Sequence, residues 1–225
     1  MGDGALEGTL TRQAMRTPRA AAIAGIIFAV LLTMTFVLMR WAVRGNAAAS
    51  DDWVANGARR DAFMLALNLL PFAGISFLWF IGVIRDRIGA NEDRFFATVF
   101  LGSGLLFIAM LFACGAVAGG LILAVGADGG SATPQLWSFG RRVTVDLLNI
   151  YALRMAAVFT ISTTSIAART GLVPRWLVIM GLATGMVLLL TVGRLPWTEL
   201  IFPLWVFVLS AHILITTFNA QQTSP

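Results

Sequence analysis

The run RAAAIAGIIFAVLLTMTFVLM, Arg19 to Met39, contains no charged residue after its first position. A helix rising 1.5 Å per residue needs about twenty such residues to cross roughly 30 Å of hydrocarbon. Five comparable runs follow, at about Ala62–Ile84, Phe95–Val125, Val143–Ala168, Trp176–Leu195 and Leu200–Asn219. Lipid offers a backbone no hydrogen-bond partners, so a chain built of such runs folds as helices that satisfy their own amides. The pattern predicts an all-α, polytopic helical membrane bundle with six transmembrane helices over residues 19–219. A polar N-terminal tail (1–18) and a short C-terminal tail (220–225) flank it. Arg40 and Arg44 stand between the first run and the alanine-rich stretch near Ala49, so the run is expected to be a span rather than the core of a cleaved leader.

Composition agrees. Hydrophobic residues are 58% of 225 and charged residues 12%, with a mean hydropathy of +0.84; this excludes a disordered chain and an ordinary soluble domain. An isoelectric point near 11.2 would suit a nucleic-acid binder, but every basic residue is Arg and most sit at helix ends. That distribution indicates membrane anchoring in a protein from a high-GC bacterial genome, and no nucleic-acid partner. The chain has no Lys, so no lysine Schiff base can form. Cys114 is the single cysteine and His212 the single histidine, which leaves no internal disulfide and no multi-histidine metal or haem site; no cofactor or metal is expected.

Orientation is finely balanced. With the N-terminus in the cytoplasm, Arg12, Arg16, Arg19, Arg85, Arg87, Arg94, Arg169 and Arg175 lie inside, against Arg40, Arg44, Arg59, Arg60, Arg141, Arg142 and Arg194 outside. The basic N-terminal tail tips the expectation to both termini cytoplasmic, in the cell (inner) membrane. Trp41, Trp53, Trp137 and Trp197 then gather at one interface.

Two segments align without a gap, from Pro18 and from Pro174. Pro18/Pro174, Arg19/Arg175, Ile23/Ile179, Gly25/Gly181, Leu32/Leu188, Thr35/Thr191 and Trp41/Trp197 coincide. The matches pair the first segment with the fifth in the same direction, as three directly repeated helical hairpins would. A shared grammar of membrane entry, with Pro and Arg at the start and Trp at the exit, gives some of the same identities. Gly25, Gly115, Gly119, Gly181 and Gly185 stand at small-xxx-small spacings that let helix backbones approach closely.

The fourth segment carries Asp146, Asn149, Tyr151 and Arg154. At 100° per residue Asp146, Asn149 and Arg154 fall toward one side, joined by Thr160 and Thr164, and Arg154 lies roughly 12 Å deeper than Asp146. Charged groups at that depth cost about 3 kcal/mol or more, so they are expected to face the bundle interior or a wet cavity. Asn68 on the second segment, Glu199 at the start of the sixth and His212 further along it are candidate companions. Pro71 and Pro203 are expected to kink their spans beside them.

Gly74-Ile75-Ser76 and Gly102-Ser103-Gly104, with His212 on the last segment, resemble pieces of the rhomboid intramembrane serine proteases, which also have six core helices. That family's GxSG becomes Gly74-Ile75-Ser76-Phe77 here, and no second polar residue is placed to orient His212. Ser76 and Ser103 are therefore expected to be helix-packing residues, and no enzyme is expected. Three functions remain open: a scaffold or accessory subunit of a membrane complex, with a membrane-protein partner or a second copy; a small transporter or channel using the polar pathway; and a lipid-binding protein whose Arg40, Arg44, Arg141 and Arg142 hold headgroups.

Overall fold

The computed structural model of the chain describes residues 3–43, 57–88, 94–127, 134–171, 173–191 and 197–222. All regular structure among them is helical. The elements are α1 (Asp3–Val43), α2 (Gly57–Ile88), α3 (Arg94–Ala127), α4 (Pro134–Asp146), a π-helical segment (Leu147–Ala152), α5 (Leu153–Arg169) and α6 (Arg175–Leu190). A 3₁₀ turn (Thr198–Leu200) then leads into α7 (Ile201–Gln222). Among the described residues five stretches are long and apolar enough to cross a membrane: Arg19–Ala42, Gly57–Arg85, Ala97–Ala124, Gln135–Arg169 and Thr198–Asn219. The fourth joins α4, the π segment and α5 into one rod. α6 is apolar but has 16 residues, about 24 Å of helix, so it is shorter than the expected fifth span; residues 192–195 of that span lie outside the described residues.

Helix runs further than the apolar pattern. α1 begins at Asp3, within the polar N-terminal segment. α4 begins at Pro134, nine residues before the apolar run that starts at Val143. Proline at a first helical position loses nothing, because that amide has no intrahelical acceptor. Pro203 has a similar place, in the first turn of α7, so it opens this helix rather than kinking it; Pro71, by contrast, sits inside α2. Between α5 and α6 the chain reverses through Gly171 at φ +64°, with the Thr170 N–H bonded to the Ile166 carbonyl at 3.0 Å. This is a left-handed helix stop of the kind glycine permits.

Packing follows the small residues. α1 lies along α2 and α7, while α5 packs on α6 and α3. A Cβ on Gly25 would collide with Ser210 of α7 and Phe80 of α2, and one on Gly181 with Thr164 of α5 and Trp205 of α7. Gly185 closes on Ile161 of α5, and Gly115 and Gly119 close on Leu67 and Leu70 of α2. All five glycines thus sit at helix–helix contacts within the bundle. Where the helices converge, one phenylalanine from each of five joins a cluster around Phe77: Phe28, Phe77, Phe107, Phe159 and Phe202, all fully buried. The Phe77 ring centroid lies 4.5 Å from Phe28, 5.4 Å from Phe107, 5.0 Å from Phe159 and 5.8 Å from Phe202. Tilted and edge-on rings at these distances add attraction beyond their burial.

Candidate functional site

The fourth span does not present one polar face. At its π segment the Leu153 N–H bonds to the Leu148 carbonyl, five residues back. A π turn holds about one residue more than an α turn, which rotates the downstream residues by roughly 100° relative to an unbroken α-helix. Thr160 and Thr164 turn inward and are buried, and the Thr160 hydroxyl donates to the Ala156 carbonyl at 2.8 Å. Arg154 is half-buried, on the side of α5 shared by half-buried Val158 and Ser165 and exposed Ala168. Tyr151 above it is 54% exposed. The interior position expected for Arg154 is therefore replaced by one at the edge of the bundle. Asp146, Asn149 and Arg154 have no hydrogen-bond or ion-pair partner among the described residues.

The proposed companions are dispersed. Asn68 is exposed, and its amide donates to the Met64 carbonyl of its own helix at 2.9 Å. His212 lies roughly 20 Å along the last span from Glu199, with its ring edge-on to Trp176 of α6 at 6.0 Å. Ser76 and Ser103 spend their hydroxyls on carbonyls one turn back, Phe72 at 2.8 Å and Val99 at 2.7 Å.

Glu199 borders a cavity. Its carboxylate accepts the Arg40 Nε at 3.2 Å, closing an ion pair between the end of α1 and the start of the last span. The Arg40 guanidinium also lies 4.3 Å from the centroid of the Trp197 ring, so it is held by a carboxylate and an aromatic face together. Trp197 reaches that place through a left-handed backbone, φ +72°, a conformation that costs a bulky residue about 1–2 kcal/mol.

Beside this group opens a cavity of about 580 Å³. Arg40, Glu199, Trp197, Trp137 and Arg141 line it, with an apolar wall from four helices that includes Phe36, Phe63, Ile122 and Leu148. The lining residues stand at the end of α1, the start of α2, toward the end of α3, along α4 into the π segment, and at the turn before α7. A smaller hollow of about 290 Å³ adjoins it, sharing Trp137, Arg141 and Val145 and adding Arg142. Cys114 faces the neighbouring stretch of the fourth span, its Sγ 3.4 Å from the Thr144 carbonyl. No group of three or more His, Cys, Asp or Glu suited to a metal ion occurs among the described residues.

No family model, curated protein or solved structure matches the chain. The site therefore rests on its own chemistry. Its signals in the sequence were the arginines and tryptophans at the ends of runs, Arg40, Trp137, Arg141 and Trp197; their convergence depends on tertiary packing, which periodicity does not encode. Arg44 and Trp53 lie outside the described residues.

Proposed function

We propose that the protein is a non-enzymatic scaffold or accessory subunit of a membrane complex, docking through the side of the fourth span that carries Arg154. Arg154 carries the reading. A guanidinium at the bundle edge, deep in the membrane and without a partner among the described residues, costs about 3 kcal/mol or more if it faces lipid. A second membrane protein, or a second copy of this chain, that sets a carboxylate or free carbonyls against it removes that cost. Asp146 and Asn149, also half-buried and unpartnered among the described residues, extend the polar edge toward the cavity end. The reading needs no cofactor, metal or nucleic acid. It places the chain in the cell membrane of a bacterium with both termini cytoplasmic, following the basic N-terminal segment.

The competing reading is a small transporter or channel whose pathway uses Asp146, Asn149, Arg154, Asn68, Glu199 and His212. Two observations weigh against it: phenylalanine rings from five helices occupy the centre of the bundle, and Asn68 and His212 lie apart from the fourth-span residues.

Sedimentation of the full chain, extracted in mild detergent, tests the choice. The wild type is expected to sediment with its partner or as a dimer, and Arg154→Leu as a lone chain with its thermal stability retained. An assembly unchanged by Arg154→Leu sinks the scaffold reading. Ion flux in proteoliposomes that Asp146→Asn abolishes would establish transport instead.

A further inference from the structure

We infer that the 580 Å³ cavity is a binding site for one anionic phospholipid, its headgroup at Arg141 and an acyl chain along the apolar wall. Three features fix this occupant. The first is charge. Glu199 neutralises Arg40 through their 3.2 Å ion pair, but Arg141 in the cavity and Arg142 in the adjoining hollow have no acidic partner among the described residues. Among the described residues the lining is therefore net positive, with Arg40 and Arg141 against Glu199, and calls for an anion. Guanidinium groups present paired N–H donors that match phosphate oxygens, which a zwitterionic headgroup leaves partly compensated by its own cation.

The second feature is polarity along the cavity. Arg40, Glu199 and Trp197 form one polar group and Trp137 and Arg141, one turn apart on α4, form another, while the rest of the lining apart from Thr144 is apolar: Phe36, Ile122 and Leu148 come from three different spans. Tryptophan and arginine at the ends of spans mark the level of lipid headgroups. A ligand lying across this boundary has a charged head and a hydrocarbon body, so a free phosphate satisfies only half of the site. The third feature is size: the volume lies within the roughly 300–1,000 Å³ of ligand pockets, room for a headgroup and part of one acyl chain, with the second chain left in the bilayer. Arg40 is already held by Glu199 and Trp197, which leaves Arg141 as the available anchor. This site is separate from the Arg154 edge of the fourth span, so it holds or fails independently of the scaffold reading.

Native mass spectrometry of the full chain, released from mild detergent, tests it with phosphatidylglycerol and phosphatidylcholine of identical acyl chains. The wild type is expected to retain one phosphatidylglycerol at a roughly tenfold lower lipid concentration than phosphatidylcholine, the effect of about one charge-assisted contact. Arg141→Gln should abolish that preference. Val145→Trp, which fills the cavity from an exposed position, should lower retention of both lipids. Arg85→Gln, exposed at the opposite end of α2, should change neither. A parallel melting curve is expected to show phosphatidylglycerol raising the Tm of the wild type and not of Arg141→Gln. Equal retention of the two lipids overturns the inference, as does displacement of phosphatidylglycerol by inorganic phosphate. So does a loss in Arg85→Gln as large as in Arg141→Gln.

Discussion

At position 181 a side chain of one hydrogen is what allows α6 to settle between α5 and α7. A Cβ there would overlap the Thr164 hydroxyl and stand 3.0 Å from the Trp205 indole nitrogen. Both polar atoms are buried without a hydrogen-bond partner among the described residues, so the contact there has no bond to lose and depends on fit. Gly181→Ala should therefore lower stability by about 1–2 kcal/mol, overpacking outweighing the gain in helix propensity. Gly120 supplies the opposite case: it is exposed, and nothing lies within 4 Å of where its Cβ would stand. Gly120→Ala should raise stability by about 0.5–1 kcal/mol through the unfolded chain's lost freedom. Thermal unfolding of the two variants in detergent should move in opposite directions, and a common direction would contradict this account. The packing role of Gly181 was legible in the sequence because small residues four apart declare a close helix contact. Which neighbour each glycine would meet was not.

The fourth span shows the same limit at the level of an element. Its length, its apolar character and its polar residues can all be read from Val143–Ala168, but the sequence Leu147–Ala152 contains no proline or glycine to announce an irregular turn. The wheel that placed Asp146, Thr160 and Thr164 together assumed 100° per residue throughout, and the π segment breaks that assumption between the first residue and the other two. Both flanks have reasons to keep their facings. α4 packs on α3, and α5 packs on α3 and α6. The extra residue of the π turn reconciles these two demands. Deleting Ile150 should therefore convert the segment to α-helix with both flanks still in register, leaving a folded, monodisperse protein. Deleting Val158, inside regular α-helix, turns everything on one side of the cut by about 100° and should abolish folding. Gel filtration in detergent and melting curves of the two deletions separate these outcomes; equal damage from both would remove the idea that the π turn sets register.

Across the whole molecule the two ends differ in chemistry as well as in position. One end gathers Arg40, Trp137, Arg141, Trp197 and Glu199 around the cavity. The other has the Arg19 guanidinium 4.6 Å from the Phe218 ring centroid and His212 against Trp176. This division was legible because alternate ends of apolar runs must share a side. The phenylalanine cluster between the ends was not, since one ring per helix leaves no periodic trace in any single segment. Ser138 and Thr170 are both exposed, at the start and end of the fourth span, and the only cysteine, Cys114, is buried. Single-cysteine labelling therefore reads the topology without removing the native thiol. With an impermeant maleimide on intact cells, Ser138→Cys should react and Thr170→Cys should react only after the membrane is opened. The reverse order would invert the proposed orientation while leaving the span in place. Equal labelling of both positions in intact cells would mean that the Gln135–Arg169 rod does not cross the membrane, and the headgroup level assigned to Arg141 would fall with it.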